Sequence, residues 1–314
     1  MSTVITGAAG FIGSHYVNSL MSLGVDVIAV DCLTYAGKLS NIDTGKIKFY
    51  EIDIRDKERM EGVFKENVVD TIVNFAAETH VDNSINNPAP FLTTNILGVT
   101  NLLDCAAKFN IEKFIQISTD EVFGSFKTGY ANESARLNPS SPYSASKASA
   151  ELLINSYHKT YKINTNIIRL SNNYGPKQYD EKLIPYSLKQ ISKNMKIGIY
   201  GDGKNIREWL YVEDAVKAIN TIVLNGKVNE SYNVSSGEFK NNLEVVRGIL
   251  EFFGMNDSMI EFVEDRKGHD FRYAIDSNKI TNELGWKAEI DFENGISDTI
   301  KWYINNRDWW ERSK

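Results

Sequence analysis

The chain has little cysteine. Cys32 and Cys105 are its two thiols in 314 residues, too few for a disulfide framework and in keeping with a reducing compartment. It has no excess of positive charge either. Thirty-five Lys and Arg face 41 Asp and Glu, for a net charge of −6 and a pI near 5.4. That balance argues against a nucleic-acid partner, although local cations can still hold phosphate. No apolar run approaches the roughly 18 residues that a membrane-spanning helix needs, and no basic-then-apolar leader precedes the first apolar run at Thr3. The expectation is a cytoplasmic protein with no membrane partner. Internal repeats, low-complexity tracts and Pro-rich linkers are also missing. What is present is an ordinary globular composition, 42% hydrophobic and 24% charged. The length is more than one core usually needs, so two domains are expected.

Apolar runs alternate with helical patterns through the first half. Strands are predicted at Thr3–Thr6, Val25–Val30, Phe49–Ile52, Thr71–Asn74, Phe114–Ser118 and Asn166–Leu170. Helices fit Phe11–Leu23, Lys57–Glu66, Phe91–Phe109 and Tyr143–Tyr161. The strands are near-continuously apolar, as burial on both faces requires. The fold class is therefore α/β: a Rossmann-like, doubly wound parallel sheet covered by helices. After Leu170 the pattern loosens. Ser171–Asp180 reads as a loop, and helices fit Lys182–Lys193, Val212–Val223, Leu243–Phe253 and Phe292–Asn305. This half is expected to form a smaller mixed α/β substrate domain. The division is placed at residues 1–175 and 176–314, with segments of the second half returning to the first.

Gly7, Gly10 and Gly13 stand between the first strand and the first helix, in Thr6-Gly-Ala-Ala-Gly-Phe-Ile-Gly13. Glycines there allow a tight turn and a close backbone approach to a pyrophosphate, while the helix N-terminus presents N–H groups. Asp31 ends the second strand. A carboxylate at that position can accept hydrogen bonds from ribose hydroxyls and repels a 2′-phosphate, which predicts NAD rather than NADP. A strand-end aspartate that only caps a turn is the plainer reading. Asp53 could face the adenine or cap the next helix. Ala76, Ala77 and Thr79 follow the fourth strand and are expected on the nicotinamide side. Thr94 is a weaker candidate on the next helix.

Tyr143 and Lys147 lie four apart in a helix opened by Ser141-Pro142, so they share a face. A tyrosine with a pKa near 10 is a poor base at neutral pH. A neighbouring ammonium and a cationic nicotinamide would favour its phenolate. The same spacing recurs at Tyr200 and Lys204, but two glycines between them argue against a helix there. The feature that separates this chain from a simple dehydrogenase is Thr119-Asp120-Glu121. In an extended strand Asp120 and Glu121 would face opposite ways. Both reach one ligand only if the strand ends by Thr119, and Gly124 fits such a turn. Adjacent carboxylates resist double ionisation, so one tends to keep its proton and the pair can supply an acid and a base. Oxidation, loss of water and reduction would then share one site. An exposed acidic turn is the bland alternative.

In the second half Arg207 could hold a diphosphate with its planar fork, and Asp265-Arg-Lys-Gly-His-Asp270 is a polar loop. Structural ion pairs account equally well for both. His80 and His269 are not at metal-ligand spacing, so no metal is expected.

These segments resemble a known family. TGAAGFIGSH, LTYAGKLSNI, AAETHVDNSI, STDEVFG, SPYSASKAS, SNNYGP, EKLIP, GDGKNIREWLYVEDA and GHDFRYAIDSNKI are similar to the extended short-chain dehydrogenases/reductases, the NAD-dependent epimerase/dehydratase family. Within it they look like the dTDP-glucose 4,6-dehydratases, over nearly the whole chain. STDEVFG is the most specific of them, because epimerases and decarboxylases of the superfamily usually lack the Asp-Glu pair. The resemblance implies that Tyr143, assisted by Thr119, deprotonates the sugar 4-hydroxyl. Glu121 would remove the C5 proton and Asp120 would protonate the departing C6 hydroxyl. It implies an NAD site that also takes in Phe11, Ile12, Thr34, Gly37, Ile54, Lys147 and Asn173. Nucleotide-sugar contacts would fall to Thr79, Asn172, Lys182, Leu183, Tyr200, Arg207, Asn242, Arg266 and His269. It further implies a homodimer through a four-helix bundle built from helices 91–109 and 143–161. Thr79, Lys267 and Glu208 replace the family's usual Ser, Pro and Asp, which leaves UDP-glucose or another nucleotide hexose open as substrate. A C4 epimerase or oxidase on the same scaffold would need no acid–base pair at 120–121.

Overall fold

A computed structural model of the chain describes residues 2–311. Its strands are β1 (Ser2–Thr6), β2 (Asp26–Asp31), β3 (Lys48–Glu51), β4 (Val69–Asn74), β5 (Lys113–Thr119), β6 (Thr165–Leu170), β7 (Asn172–Tyr174), β8 (Ile197–Tyr200), β9 (Ile206–Tyr211), β10 (Glu230–Val234), β11 (Phe239–Asn241) and β12 (Ile260–Val263). Seven of them form one sheet in the order β10-β6-β5-β4-β1-β2-β3, and every pairing in it is parallel. The order reverses between β1 and β4, where a doubly wound sheet opens a crevice at the carboxyl ends of its strands.

Two apolar layers cover the sheet. Helices Phe11–Ser22 and Val212–Asn225 pack on one face, around Tyr16, Val17, Ile219 and Tyr232. Helices Lys57–Glu66, Val99–Lys108 and Pro142–Tyr161 contribute to the other, around Met60, Leu102, Phe114 and Ile154. The last of these is well delimited. Ser141 and Ser144 form a reciprocal capping box, Pro142 opens the first turn, and Lys162 closes it in the left-handed region.

The second half gathers a separate core around Tyr174, Trp209, Ile249 and Tyr303. Its small sheets are β11-β9-β7 and β12-β8. Two features differ from the sequence reading. The expected loop 171–180 contains β7, because Asn172–Tyr174 pairs with Trp209–Tyr211, a contact between distant segments that no local pattern records. The expected helix over 91–109 contains a π-helical stretch, Thr93–Gly98, between Ala89–Leu92 and Val99–Lys108. The second half also returns a strand to the first, since β10 pairs with β6. No helix among the described residues is long and apolar enough to cross a membrane.

Candidate active site

A cleft of about 320 Å³ opens along the carboxyl ends of the parallel strands. At its floor the chain leaves β1 through the glycine turn. Gly7 has φ +66°, and a Cβ on it would lie 2.6 Å from Ala76 N. A Cβ on Gly13 would lie 2.2 Å from Gly7 O. Neither position admits a side chain without moving backbone, so the turn and the helix behind it are packed as a dinucleotide cradle requires. Asp31 accepts from the amides of Ala9 at 2.9 Å and Leu33 at 2.8 Å. It thus does what the plain reading expects, holding its own turn and the glycine turn together, and it also faces the cleft. A carboxylate has further lone pairs for ribose hydroxyls. Asp53 lines the cleft paired with Arg55, whose Nη2 is 2.6 Å away. The cap of the following helix is Asp56 instead.

Phe11, Ile12, Thr34, Gly37, Ile54, Ala76, Ala77, Thr79, Thr94, Asn172, Asn173 and Lys182 all line the same cleft. Thr94 falls in the π-helical stretch. Beside it, Asn95 exchanges hydrogen bonds with the backbone of Glu78 and donates to Ser146 Oγ at 2.9 Å. That buried amide ties the segment after β4 to the helix of Tyr143. Asn173 Oδ1 and Ser171 Oγ are buried and have no hydrogen-bond partner among the described residues. Unsatisfied buried polar atoms beside a glycine cradle and a strand-end carboxylate fit a bound dinucleotide.

The acidic triplet follows the geometry expected of it. β5 ends at Thr119, Asp120–Phe123 turns as a 3₁₀ helix, and Gly124 takes φ +73°. The Thr119 hydroxyl caps this turn, accepting from Glu121 N at 3.3 Å, and donates to Asp120 Oδ1 at 3.1 Å. Asp120 Oδ2 is buried with no partner among the described residues. Asp120, Glu121, Tyr143 and Lys147 line one cleft.

Their electrostatics differ. Burial, then the Glu121 and Glu208 carboxylates, hold the Asp120 carboxyl well above the usual range. Burial raises Glu121 too, but Arg207, Lys182 and Arg266 oppose it. Asp120 thus holds its proton more firmly than Glu121, the ordering of acid and base that elimination of water needs. Burial lowers the Lys147 ammonium to about 8, with Glu151 opposing. Its Nζ donates to Ile117 O at 2.7 Å. Burial and the neighbouring carboxylates raise the Tyr143 phenol, against a hydrogen bond with Thr119. Lys147 does not offset this rise, which desolvation and Glu121 dominate, so of the two expected influences favouring the phenolate the nicotinamide cation is left to supply it.

Leu183, Tyr200, Arg207, Asn242, Arg266 and His269 fall outside the lining of this cleft. They are organised around it. Arg207 donates to Asp270 O at 3.0 Å and stacks 4.3 Å from the Tyr273 ring. The Tyr273 hydroxyl donates to Asp270 Oδ2 at 2.8 Å and lies 3.5 Å from Glu121 Oε2. Arg266 forms a two-point ion pair with Asp82, to which the Tyr200 hydroxyl also donates. His269 pairs with Asp265 at 2.7 Å. Leu183 opens the helix after Lys182, and Asn242 opens the helix Asn242–Phe252. Tyr200 ends β8 and Lys204 pairs with Asp202, so that second Tyr–Lys spacing is not helical.

Several residues of this surround were not singled out from sequence. Tyr273 and Asp270 sit inside a polar stretch with no periodic signal. Glu151 is fully buried, accepts from Ser118 Oγ at 2.6 Å and pairs with Arg169 at 2.7 Å. Its spacing four residues past Lys147 was the available signal.

The fold and this cleft define a dinucleotide-binding enzyme in which two adjacent carboxylates line the same cleft as a Tyr–Lys pair. The model of the GDP-mannose 4,6 dehydratase family matches residues 4–299, and the chain belongs to that family. It is 45% identical to the low-salt glycan biosynthesis protein Agl12 of Haloferax volcanii, over 98% of this chain and 99% of that protein. It is 43% identical to a dTDP-glucose 4,6-dehydratase of Streptomyces antibioticus, over 100% and 96%. The structure of DesIV, a dTDP-glucose 4,6-dehydratase from Streptomyces venezuelae solved with NAD bound, superposes with a TM-score of 0.97 at 40% identity and full coverage of both chains.

Proposed function

We propose that this chain is an NAD-dependent nucleotide-hexose 4,6-dehydratase with dTDP-glucose as its substrate. The observation that carries the reading is the 3₁₀ turn after β5, which places Asp120 and Glu121 on the cleft that Tyr143 and Lys147 line. The names of the relatives support the same chemistry.

The glycine turn, Asp31, Thr34, Gly37, Asp53, Ala76 and Asn173 hold NAD, which when bound supplies the hydride acceptor and donor for the two redox steps. With a cationic nicotinamide beside it to favour the phenolate, Tyr143 Oη would take the proton of the sugar 4-hydroxyl, guided by the Thr119 hydroxyl, as C4 becomes a ketone. The new carbonyl acidifies C5–H, and the Glu121 carboxylate removes that proton. Asp120 gives its proton to the departing C6 hydroxyl, which leaves as water. A hydride arriving at C6 and a proton at C5 complete the 4-keto-6-deoxy sugar. Lys147 positions the nicotinamide end through its place beside Tyr143. Arg207, Arg266, Lys182, Leu183, Asn172, Asn242, Tyr200, Thr79 and His269 receive the nucleotide sugar.

Residues 1–175 form the NAD unit and 176–314 the sugar-nucleotide unit in this reading. The enzyme works in the cytoplasm as a homodimer. Leu97 and Leu152, on helices 89–108 and 142–161, are 58% and 63% exposed. Apolar side chains left bare on neighbouring helices suit a four-helix interface.

The purified protein is to be incubated with dTDP-glucose and UDP-glucose in deuterated water. A 4-keto-6-deoxy product labelled at C5, with no net release of NADH, is expected from dTDP-glucose. An unlabelled C4 epimer or stoichiometric NADH would overturn the assignment. Asp120→Asn should slow loss of water more than C4 oxidation in rapid-quench experiments, by on the order of 10²-fold.

A further inference from the structure

The cofactor cradle is braced from behind by a residue that does not line the cleft. Asn41, 2% exposed, donates from Nδ2 to Ala9 O at 2.9 Å, inside the glycine turn. Its Oδ1 accepts from Trp309 Nε1 at 2.8 Å. Its backbone carbonyl accepts from Lys177 Nζ at 2.9 Å and from Asn18 Nδ2 at 3.0 Å. One buried asparagine thus joins the glycine turn, the first helix, the loop after β7 and the helix Arg307–Glu311.

The Ala9 peptide is held from both sides. Its N–H donates to Asp31, while its carbonyl accepts from Lys38 N at 3.0 Å as well as from Asn41. Lys38 in turn donates from Nζ to Trp309 O at 2.7 Å and lies 3.6 Å from the centre of the Trp309 ring. Segment 31–37, which supplies Asp31, Thr34 and Gly37 to the cleft, is therefore moored at its far end to Trp309. That mooring spans some 270 residues of sequence.

We infer that Asn41 and Trp309 are positioning residues for the cofactor, setting how long NAD stays bound. This rests on the reading that NAD occupies the glycine turn. Without the Asn41 amide, Ala9 O loses one donor and the Trp309 indole loses its bond to the glycine-turn brace. The glycine turn keeps its bonds to Asp31 and Lys38 N but loses its tie to the helix Arg307–Glu311, and the loosened turn holds the adenosine end of NAD less firmly. The sugar-reacting groups lie at the other strand ends, so the brace acts on retention and not on the chemical steps.

The test uses holoenzyme loaded with isotopically labelled NAD and chased with unlabelled NAD. Asn41→Ala and Trp309→Phe should each speed release by about fivefold, the scale of one net hydrogen bond. Turnover at saturating NAD should stay within about twofold of the wild type, a split between binding and chemistry that general loss of folding would not give. The double variant should release NAD no faster than Asn41→Ala, because both changes cut one link. Trp309→Phe keeps an aromatic ring against Lys38, so it decides the matter if Asn41→Ala fails to fold. Release at the wild-type rate would overturn the inference, as would turnover at saturating NAD that falls in step with release. A wild type that binds no NAD at all would instead overturn the function proposed above.

Discussion

Asp120 is a side chain kept at a disadvantage. A carboxyl held well above its ordinary pKa of 3.8 is protonated in the folded chain at pH values where the unfolded chain has lost its proton. Between those two pKa values the folded state binds more protons, so wild-type stability falls as pH rises. Below 3.8 both states are protonated and the penalty vanishes. Asparagine has no such proton. Asp120→Asn should therefore be more stable than the wild type at neutral pH, with a gain that shrinks toward zero as pH approaches 4. Thermal unfolding of both proteins across that range checks the sign. A variant destabilised at every pH would show that burial of Asp120 is not the dominant cost. The gain in stability accompanies the loss of dehydration described above, as expected where a function needs a strained group.

The decisive element is the short turn after β5. Its geometry depends on Gly124, whose φ of +73° is strained for an L side chain and whose Cβ would lie 2.3 Å from Asn138 O. Gly124→Ala should displace the turn and with it Asp120 and Glu121, leaving the glycine cradle at residues 7–13 alone. The expected outcome is NAD binding within about threefold of the wild type and dehydration reduced by on the order of 10²-fold, read by cofactor titration and product analysis. Much of this element was legible in advance. An apolar run that stops, two carboxylates and a glycine are local signals, and the strand does end at Thr119. The π-helical stretch at Thr93–Gly98 had no such signal, because its Thr, Asn and Gly weaken a helix without marking a π turn. β7 had none either, because its partner is β9.

At the scale of the molecule the two halves share the main sheet through β10, and Leu97 and Leu152 stand exposed on the helices proposed above to meet a second copy. Replacing both Leu97 and Leu152 by Glu puts charge on that surface without touching the cleft. Monomers in sedimentation velocity are the expected result, against dimers for the wild type. A dimer that survives both changes would rule out the four-helix interface. The substrate surround belongs to this scale too. Arg207, Asp82 and the stretch that holds Arg266, Asp270 and Tyr273 are three separate segments, and they meet through stacking, an ion pair and hydrogen bonds. From sequence Arg207 and the loop Asp265-Arg-Lys-Gly-His-Asp270 read as well as structural salt bridges, and Tyr273 and Asp82 were not singled out, since nothing local says that they converge.

The sequence by itself determined the alternation of buried strands and helices, the glycine turn, the strand-end Asp31, the shared face of Tyr143 and Lys147, and the end of β5 before Asp120. Each is set by neighbours within a turn or a strand, where burial and backbone geometry act locally. Tertiary structure decided the rest. It left Asp120 Oδ2 buried with no partner among the described residues, brought Arg207, Lys182 and Arg266 toward Glu121, raised the Tyr143 phenol, and moored the glycine turn to Trp309. Those properties depend on desolvation and on charges brought from remote segments, and both exist only once the chain has folded.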